Sequence, residues 1–332
     1  MNNIQYDFSP QAADRQADAL YHAVIQLQQD TGHPLYLLFD PVLRLDDINS
    51  PLIQALVRRQ PAPVPLPHSS LNEPDSPWLV ALDISQEDDR MLLRQSTATA
   101  LEELHPDNIE QNLGRSICGW LTSPAERGDL IKQLGHTAIQ RTGINQHIQM
   151  RYYDPAVHNL LWPLLSELQQ RRMGGLLSGW LFPDGDGQAV VRRFQPAPML
   201  YSTYSLGLDA EQCDFILNTC GITNLALRRY RQANSGEVRY TEQVAASHIL
   251  HGLARLAGHP ALQHTADRER FAFLLLQWHP QIDQHPAVVD LLDNHTFSDD
   301  VAWTMRTLNI APETWRRYAT ELTASQTMEN DT

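Results

Sequence analysis

The chain has 332 residues, enough for about two domains at roughly 150 residues each. Hydrophobic residues make up 42% and charged residues 19%, the balance of a packed globular protein and not of a disordered one. With 25 Lys and Arg against 39 Asp and Glu, the formal charge is −14; such a surface repels phosphate backbones and argues against a nucleic-acid partner.

From residue 12 to 30 the apolar positions Leu20, Val24 and Leu27 recur at helical spacing, and Thr31-Gly32 closes the run. Residues 35–39 read as a buried strand, and 48–59 as a short helix with Pro51 in its first turn. Pro61, Pro63, Pro65 and Pro67 cannot pair within a central strand, so 61–67 is expected as an extended connection. A second strand is predicted over 78–82, a helix over 88–104 and a third strand over 116–121. Ser123-Pro124 supplies the cap and first-position residues of a helix whose apolar positions include Leu130, Leu134 and Ile139.

Period-two alternation then predicts a strand with Ile148, Met150 and Tyr152 on one face and Gln149, Arg151 and Tyr153 on the other. Asp154 is placed to cap the following helix, with Pro155 at its first position. Val157, Leu160, Leu161, Leu164, Leu165 and Leu168 form the apolar stripe of that helix, and Pro163 predicts a break in it. Residues 176–182 and 188–194 flank Asp184-Gly185-Asp186-Gly187, a hairpin turn. Strands alternating with helices and ending in a hairpin predict an α/β lobe, a mixed sheet with helices, over residues 1–196.

After Pro196-Ala197-Pro198 the pattern turns helical, over 209–220, 240–257, 267–279, 287–293, 298–308 and 312–323. A smaller all-α lobe is therefore expected over 197–325, with a polar, disordered tail over 326–332.

Little in the chain announces chemistry. The nearest string to a serine-nucleophile turn, Leu177-Ser178-Gly179-Trp180, lacks the leading glycine and sits in a strand. No phosphate loop or dinucleotide-binding turn is present. His248 and His251 lie three apart on an expected helix, but no carboxylate or cysteine stands at a zinc spacing beside them. The Asp184 turn lacks the later ligands of a calcium loop. Cys118, Cys213 and Cys220 are too few for a disulfide framework, and the last two are expected as small buried side chains. We therefore expect no catalytic set, no metal and no cofactor. No apolar run approaches the ~20 residues of a membrane span. The stretch Met1-Asn2-Asn3-Ile4-Gln5-Tyr6-Asp7 lacks the features of a signal peptide, so a cytoplasmic address is expected.

Four residues stand out as candidates for binding a partner: Trp78, Arg151, Tyr153 and Asp154. Arg, Tyr and Trp are the types that anchor protein interfaces. The competing reading is internal: Arg151 in an ion pair, Tyr152 in the core, Asp154 as a helix cap and Trp78 as a core anchor beneath the sheet.

Three segments carry a family resemblance: Leu35-Tyr36-Leu37-Leu38-Phe39-Asp40, Pro77-Trp78-Leu79-Val80-Ala81-Leu82 and Met150-Arg151-Tyr152-Tyr153-Asp154-Pro155. In that order and at those separations they resemble the amino-terminal domain of the type VI secretion effector adaptors, over about residues 33–182. The Ser123-Pro124 helix occupies the slot between the second and third segments, and the helical second half is similar to the lobe many members carry. The resemblance implies a non-enzymatic adaptor or chaperone without catalytic residues. It implies a secreted effector toxin as partner, promoted onto the valine-glycine-repeat spike protein (VgrG) or its PAAR tip, with no nucleic acid and no membrane insertion. The two lobes are expected to hold a toxin segment jointly. An immunity-type toxin-binding protein and a hydrolytic effector are the alternatives.

Overall fold

The computed structural model describes residues 3–5, 7, 9–47, 50–66, 76–105, 107–108, 114–143, 146–197, 205–293 and 303–330. The chain divides into two compact units, Asp7–Leu217 and Asn218–Thr332, the second joined by Met1–Tyr6. Strand β1 (Asn3–Gln5) thus belongs to the second unit.

The first unit is built on a six-stranded sheet. Its elements in chain order are α1 (Pro10–Thr31), β2 (Leu35–Phe39), α2 (Pro51–Arg58), β3 (Ala62–Pro63), β4 (Trp78–Leu82), α3 (Glu87–Glu102), β5 (Ile117–Thr122) and α4 (Arg127–Thr137). There follow β6 (Ile139–Gly143), β7 (Gln146–Gln149), α5 (Pro155–Leu161), α6 (Glu167–Gly174), β8 (Gly179–Pro183), β9 (Ala189–Arg193) and α7 (Ala210–Asp214). The sheet order is β3-β4-β2-β5-β8-β9, while β6 and β7 form a separate two-stranded ladder. The fold is mixed α/β as expected, and every pairing in the sheet is antiparallel.

Helices cover both faces of this sheet, which is why β2, β5 and β8 are buried at every residue instead of alternating with water-facing positions. On one face Leu35, Leu37, Phe39, Trp120 and Leu181 meet Leu20, Val24 and Leu27 of α1, Ile53 and Leu56 of α2 and Leu93 of α3. On the other Tyr36, Leu38, Leu121, Trp180 and Phe182 meet Leu130 and Leu134 of α4, together with Tyr152, Tyr153, Leu161 and Met173.

The β2–β5 ladder shifts register between Leu38, which faces Gly119, and Phe39, which faces Ile117. Cys118 is therefore the extra residue of a bulge. Gly119 takes φ 128°, and a Cβ there would lie 2.6 Å from the Leu181 carbonyl oxygen and 2.7 Å from Trp180 Nε1. The bulge lets Trp180 donate its indole N–H to the Cys118 carbonyl at 3.2 Å.

Three local expectations are corrected. Residues 150–153 are not a strand: β7 ends at Gln149, the Met150 N–H makes a last bond in its register to the Ala138 carbonyl at 2.7 Å, and the Asp154 N–H closes a turn on Arg151 at 2.9 Å. In that turn Tyr152 and Tyr153 are both buried, so period-two alternation fails there. The helix expected from Ser123 begins at Arg127, because the Ser123 hydroxyl accepts from the Ala125 N–H and donates to the Leu176 carbonyl. That helix stops at Thr137, and Ile139 opens β6. Elsewhere the break predicted at Pro163 is a 3-10 turn, Trp162–Leu164, between α5 and α6.

The passage between units comes at residue 217, later than the change of composition at 196. Side-chain amides tie the intervening stretch to the first unit. Gln212 donates to the Leu164 carbonyl at 2.7 Å, Gln169 donates to Gln212 at 2.8 Å, and Gln140 accepts from the Leu206 N–H at 2.7 Å.

The second unit is helical: α8 (Cys220–Ala233), α9 (Glu242–Arg255), α10 (Thr265–Gln277), α11 (Pro286–Asp293), α12 (Trp303–Leu308) and α13 (Pro312–Asn330). It also holds β10 (Val238–Tyr240), which pairs antiparallel with β1. Phe271, Leu274 and Leu275 of α10 are fully buried, and the helix packs on α8, α9 and α12. A Cβ on Gly252 would lie 2.3 Å from Leu275, a measure of how closely α9 and α10 approach. The last helix runs to Asn330, past residue 325 where a frayed end was expected. The first part of the helix expected over 298–308 lies outside the described residues.

Candidate functional site

The three segments that carry the resemblance come together in the first unit. β2 and β4 are paired residue by residue, Leu35 with Leu82 through Phe39 with Trp78. The third segment is fixed to the end of β2 by a side-chain bond: Arg151 Nη2 donates to Asp40 Oδ2 at 2.8 Å. Asp40 is the residue after the strand, and its own N–H bonds to the Ser116 carbonyl at 2.8 Å, just before β5.

Asp40 is 3% exposed. Burial raises its carboxyl above the usual range, and Arg151 and the Val42 N–H at 3.2 Å only partly offset this. Burial works against the charge of Arg151 too, yet Asp40 and Asp154 beside it outweigh that and hold the guanidinium more firmly protonated than usual. Its side chain stays 40% exposed, and the guanidinium carbon lies 5.9 Å from the Tyr153 ring.

A second buried carboxylate stands next to this group. Glu103, 2% exposed, accepts from the Ser116 hydroxyl, from the Ile117 N–H at 3.2 Å and from Arg44 Nε at 3.1 Å. Burial again pushes its carboxyl up, against the pull of Ser116 and Arg44. Thus two acid–arginine pairs, Asp40–Arg151 and Glu103–Arg44, brace the chain where it leaves β2 and enters β5. Both carboxylates accept from their arginines, while Arg151 Nε is buried without a hydrogen-bond partner among the described residues. Together the two pairs are a clamp on the end of the sheet.

The four candidate residues fare differently. Arg151 carries the internal ion pair and still presents part of its side chain to solvent. Tyr153 is 5% exposed and belongs to the core, and burial raises its hydroxyl well above the ordinary tyrosine range. Asp154 caps α5 by accepting from the Ala156 N–H at 2.9 Å. Trp78 is partly buried and packs against Phe39, ring centroids 5.8 Å apart, on the opposite face of the sheet from Tyr153. Arg151, Tyr153 and Asp154 are therefore brought together with Asp40, whereas Trp78 shares only their end of the sheet.

Sequence reading missed the Glu103–Arg44 pair and also the buried His158. Its Nδ1 is bonded to the Tyr152 carbonyl at 3.2 Å, and its ring stacks on Trp162 at 5.4 Å, with Trp180 at 4.8 Å and Phe182 at 4.9 Å. Burial and the nearby Arg192 charge lower its pKa to about 3. A carbonyl acceptor fixes the proton on Nδ1, leaving Nε2 without a partner among the described residues. The signal available was its place four residues after the cap Asp154, on the apolar side of α5.

Among the described residues no three His, Cys, Asp or Glu side chains converge as a metal site would require. No helix among them is long and apolar enough to cross a membrane. Cys118, Cys213 and Cys220 are each free and buried.

Residues 35–172 match the model of a protein family described as "Domain of unknown function (DUF4123)". No curated protein and no solved structure matches the chain.

Proposed function

We propose that the protein is a non-enzymatic adaptor that binds a secreted type VI effector toxin and promotes its loading onto the valine-glycine-repeat spike or its PAAR tip. The observation that carries this reading is the convergence of the three motif segments. All three lie inside residues 35–172, the stretch matched by the family model, and Asp40 and Arg151 join the first to the third. A carrier needs a rigid platform, and two acid–arginine pairs with buried carboxylates, at the end of a sheet covered on both faces, support one. The partly exposed Arg151 and Trp78 are the members of this group that a partner can reach. Arg and Trp are the side chains that anchor such contacts. Tyr153 and Asp154 support the platform from within.

The test is an affinity capture of the tagged full chain from its native cell, followed by mass spectrometry and by co-expression with whatever is captured. The adaptor reading expects a secreted toxin and a spike component. Capture of neither refutes it. Rescue of cells from the toxin, with no effect on its secretion, would make the protein an immunity factor instead.

A further inference from the structure

The six-stranded sheet ends differently at its two edges. On one side β3 has two residues, and Pro63 has no N–H to offer. On the other, β9 is five residues long, and no described strand pairs with its outer side. The ladder fixes which groups face outward. Phe194 N–H bonds to the Ser178 carbonyl at 3.0 Å and Asp184 N–H to Gln188 at 2.9 Å, so Val190 and Arg192 are the residues of β9 bonded to β8. The N–H and C=O groups of Ala189, Val191 and Arg193 point away from the sheet.

These three residues also share one exposed face, with Val191 39% exposed. In a chain of charge −14 the open edge carries two consecutive cations, Arg192 and Arg193. Arg193 meets Asp30 at 2.6 Å, but both side chains are open to water and such a pair is readily exchanged. Arg192 points to the other face of the strand, where it lies over the Trp162 ring at 4.8 Å, so Arg193 is the cation of the exposed face.

We propose that β9 is a docking edge for an extended segment of the carried protein, with an acidic residue of that segment set against Arg193 on the exposed face. The inference rests on the adaptor reading and names the chemistry of what is grasped. The segment adds to the sheet as a further strand, bonded to the main chain of Ala189, Val191 and Arg193. A small or β-branched side chain suits the position beside Val191.

The test uses the full chain and its Val191→Pro variant. Proline there removes an outward N–H without touching the bonds to β8, so an unchanged melting temperature shows that the fold survives. The probes are peptides of about twelve residues tiling the secreted protein that the wild-type chain captures. Fluorescence anisotropy reads binding, and amide hydrogen exchange reads residues 188–194. The expected result is one extended acidic peptide that slows exchange at Ala189, Val191 and Arg193. It should bind about tenfold or more weaker to Val191→Pro and to Arg193→Glu, the second variant serving if the first does not fold. Equal affinity with unaltered exchange overturns the edge and leaves the adaptor reading standing. Loss of a dimer in place of the peptide would make a second copy the occupant and also overturn it. A wild-type chain that captures no secreted protein sinks both.

Discussion

Arg151 and Asp40 are bonded at 2.8 Å across 111 residues of chain, and their side chains are unequally exposed, 40% against 4%. That inequality sets the outcome of mutation. Arg151→Met strands a buried carboxylate and should cost about 2 kcal/mol, a figure already lowered for the solvent around the arginine. Asp40→Asn leaves an arginine that can turn toward water and should cost about 1 kcal/mol. Urea unfolding of both single variants and the double measures this, and the double should cost less than the sum. Additive effects would contradict a shared, buried pair.

His158 makes stability fall with acid. Its folded pKa of about 3 lies below the usual 6.5, so the unfolded chain binds the proton first. The stabilisation is complete above pH 6.5 and is lost as pH falls through the window down to about 3, with a limiting slope of about 1.4 kcal/mol per pH unit. Asp40 and Glu103, whose carboxyls are raised, act with the opposite sign at the acid end of that window. Between pH 7 and 5 the wild-type chain should lose about 2 kcal/mol more than His158→Phe, read from urea midpoints at the two pH values. Parallel pH profiles would mean that the histidine is not held neutral in the fold.

Gly119 is the hinge of the β5 bulge. With φ 128° and a carbonyl oxygen 2.6 Å from its missing Cβ, Gly119→Ala should destabilise by about 3 kcal/mol. Gly128→Ala, where nothing lies within 4 Å, serves as the control and should stay within about 0.5 kcal/mol of wild type. Thermal unfolding of the two variants decides it, and a tolerated alanine at 119 would contradict the bulge.

How much of this was legible in the residues depended on the range of the forces involved. Local signals were read well: the continuous apolar runs of β2 and β4, the Pro163 break, the Asp154 cap and the Asp184 hairpin, where Asp184 Oδ1 accepts from the Asp186 and Gln188 N–H groups at 2.8 Å. The failures came where a hydrogen bond overrode a local pattern. Met150 to Tyr153 alternate like a strand, but the Asp154 N–H bond back to the Arg151 carbonyl closes them into a turn, and no period in the sequence reports that bond. Likewise Ser123 has cap chemistry, yet the Leu176 carbonyl 53 residues away claims its hydroxyl proton. The site was half visible. Arg151 stands out with an ion pair as its competing reading and Asp40 as the end of the first segment, but nothing in the residues joins the two or marks the neighbouring Glu103–Arg44 pair, because burial decides which acids matter and residue type alone does not state burial.

The central claim is that this chain serves the secretion of another protein, and the most direct measurement is what leaves the cell without it. A strain deleted for the chain is compared with one restored by the full-length protein, and toxin and spike are quantified in the culture fluid. The account predicts that the captured toxin disappears from the fluid on deletion and returns on restoration, while the secretion apparatus itself stays active. Undiminished release of the toxin in the deleted strain would contradict it.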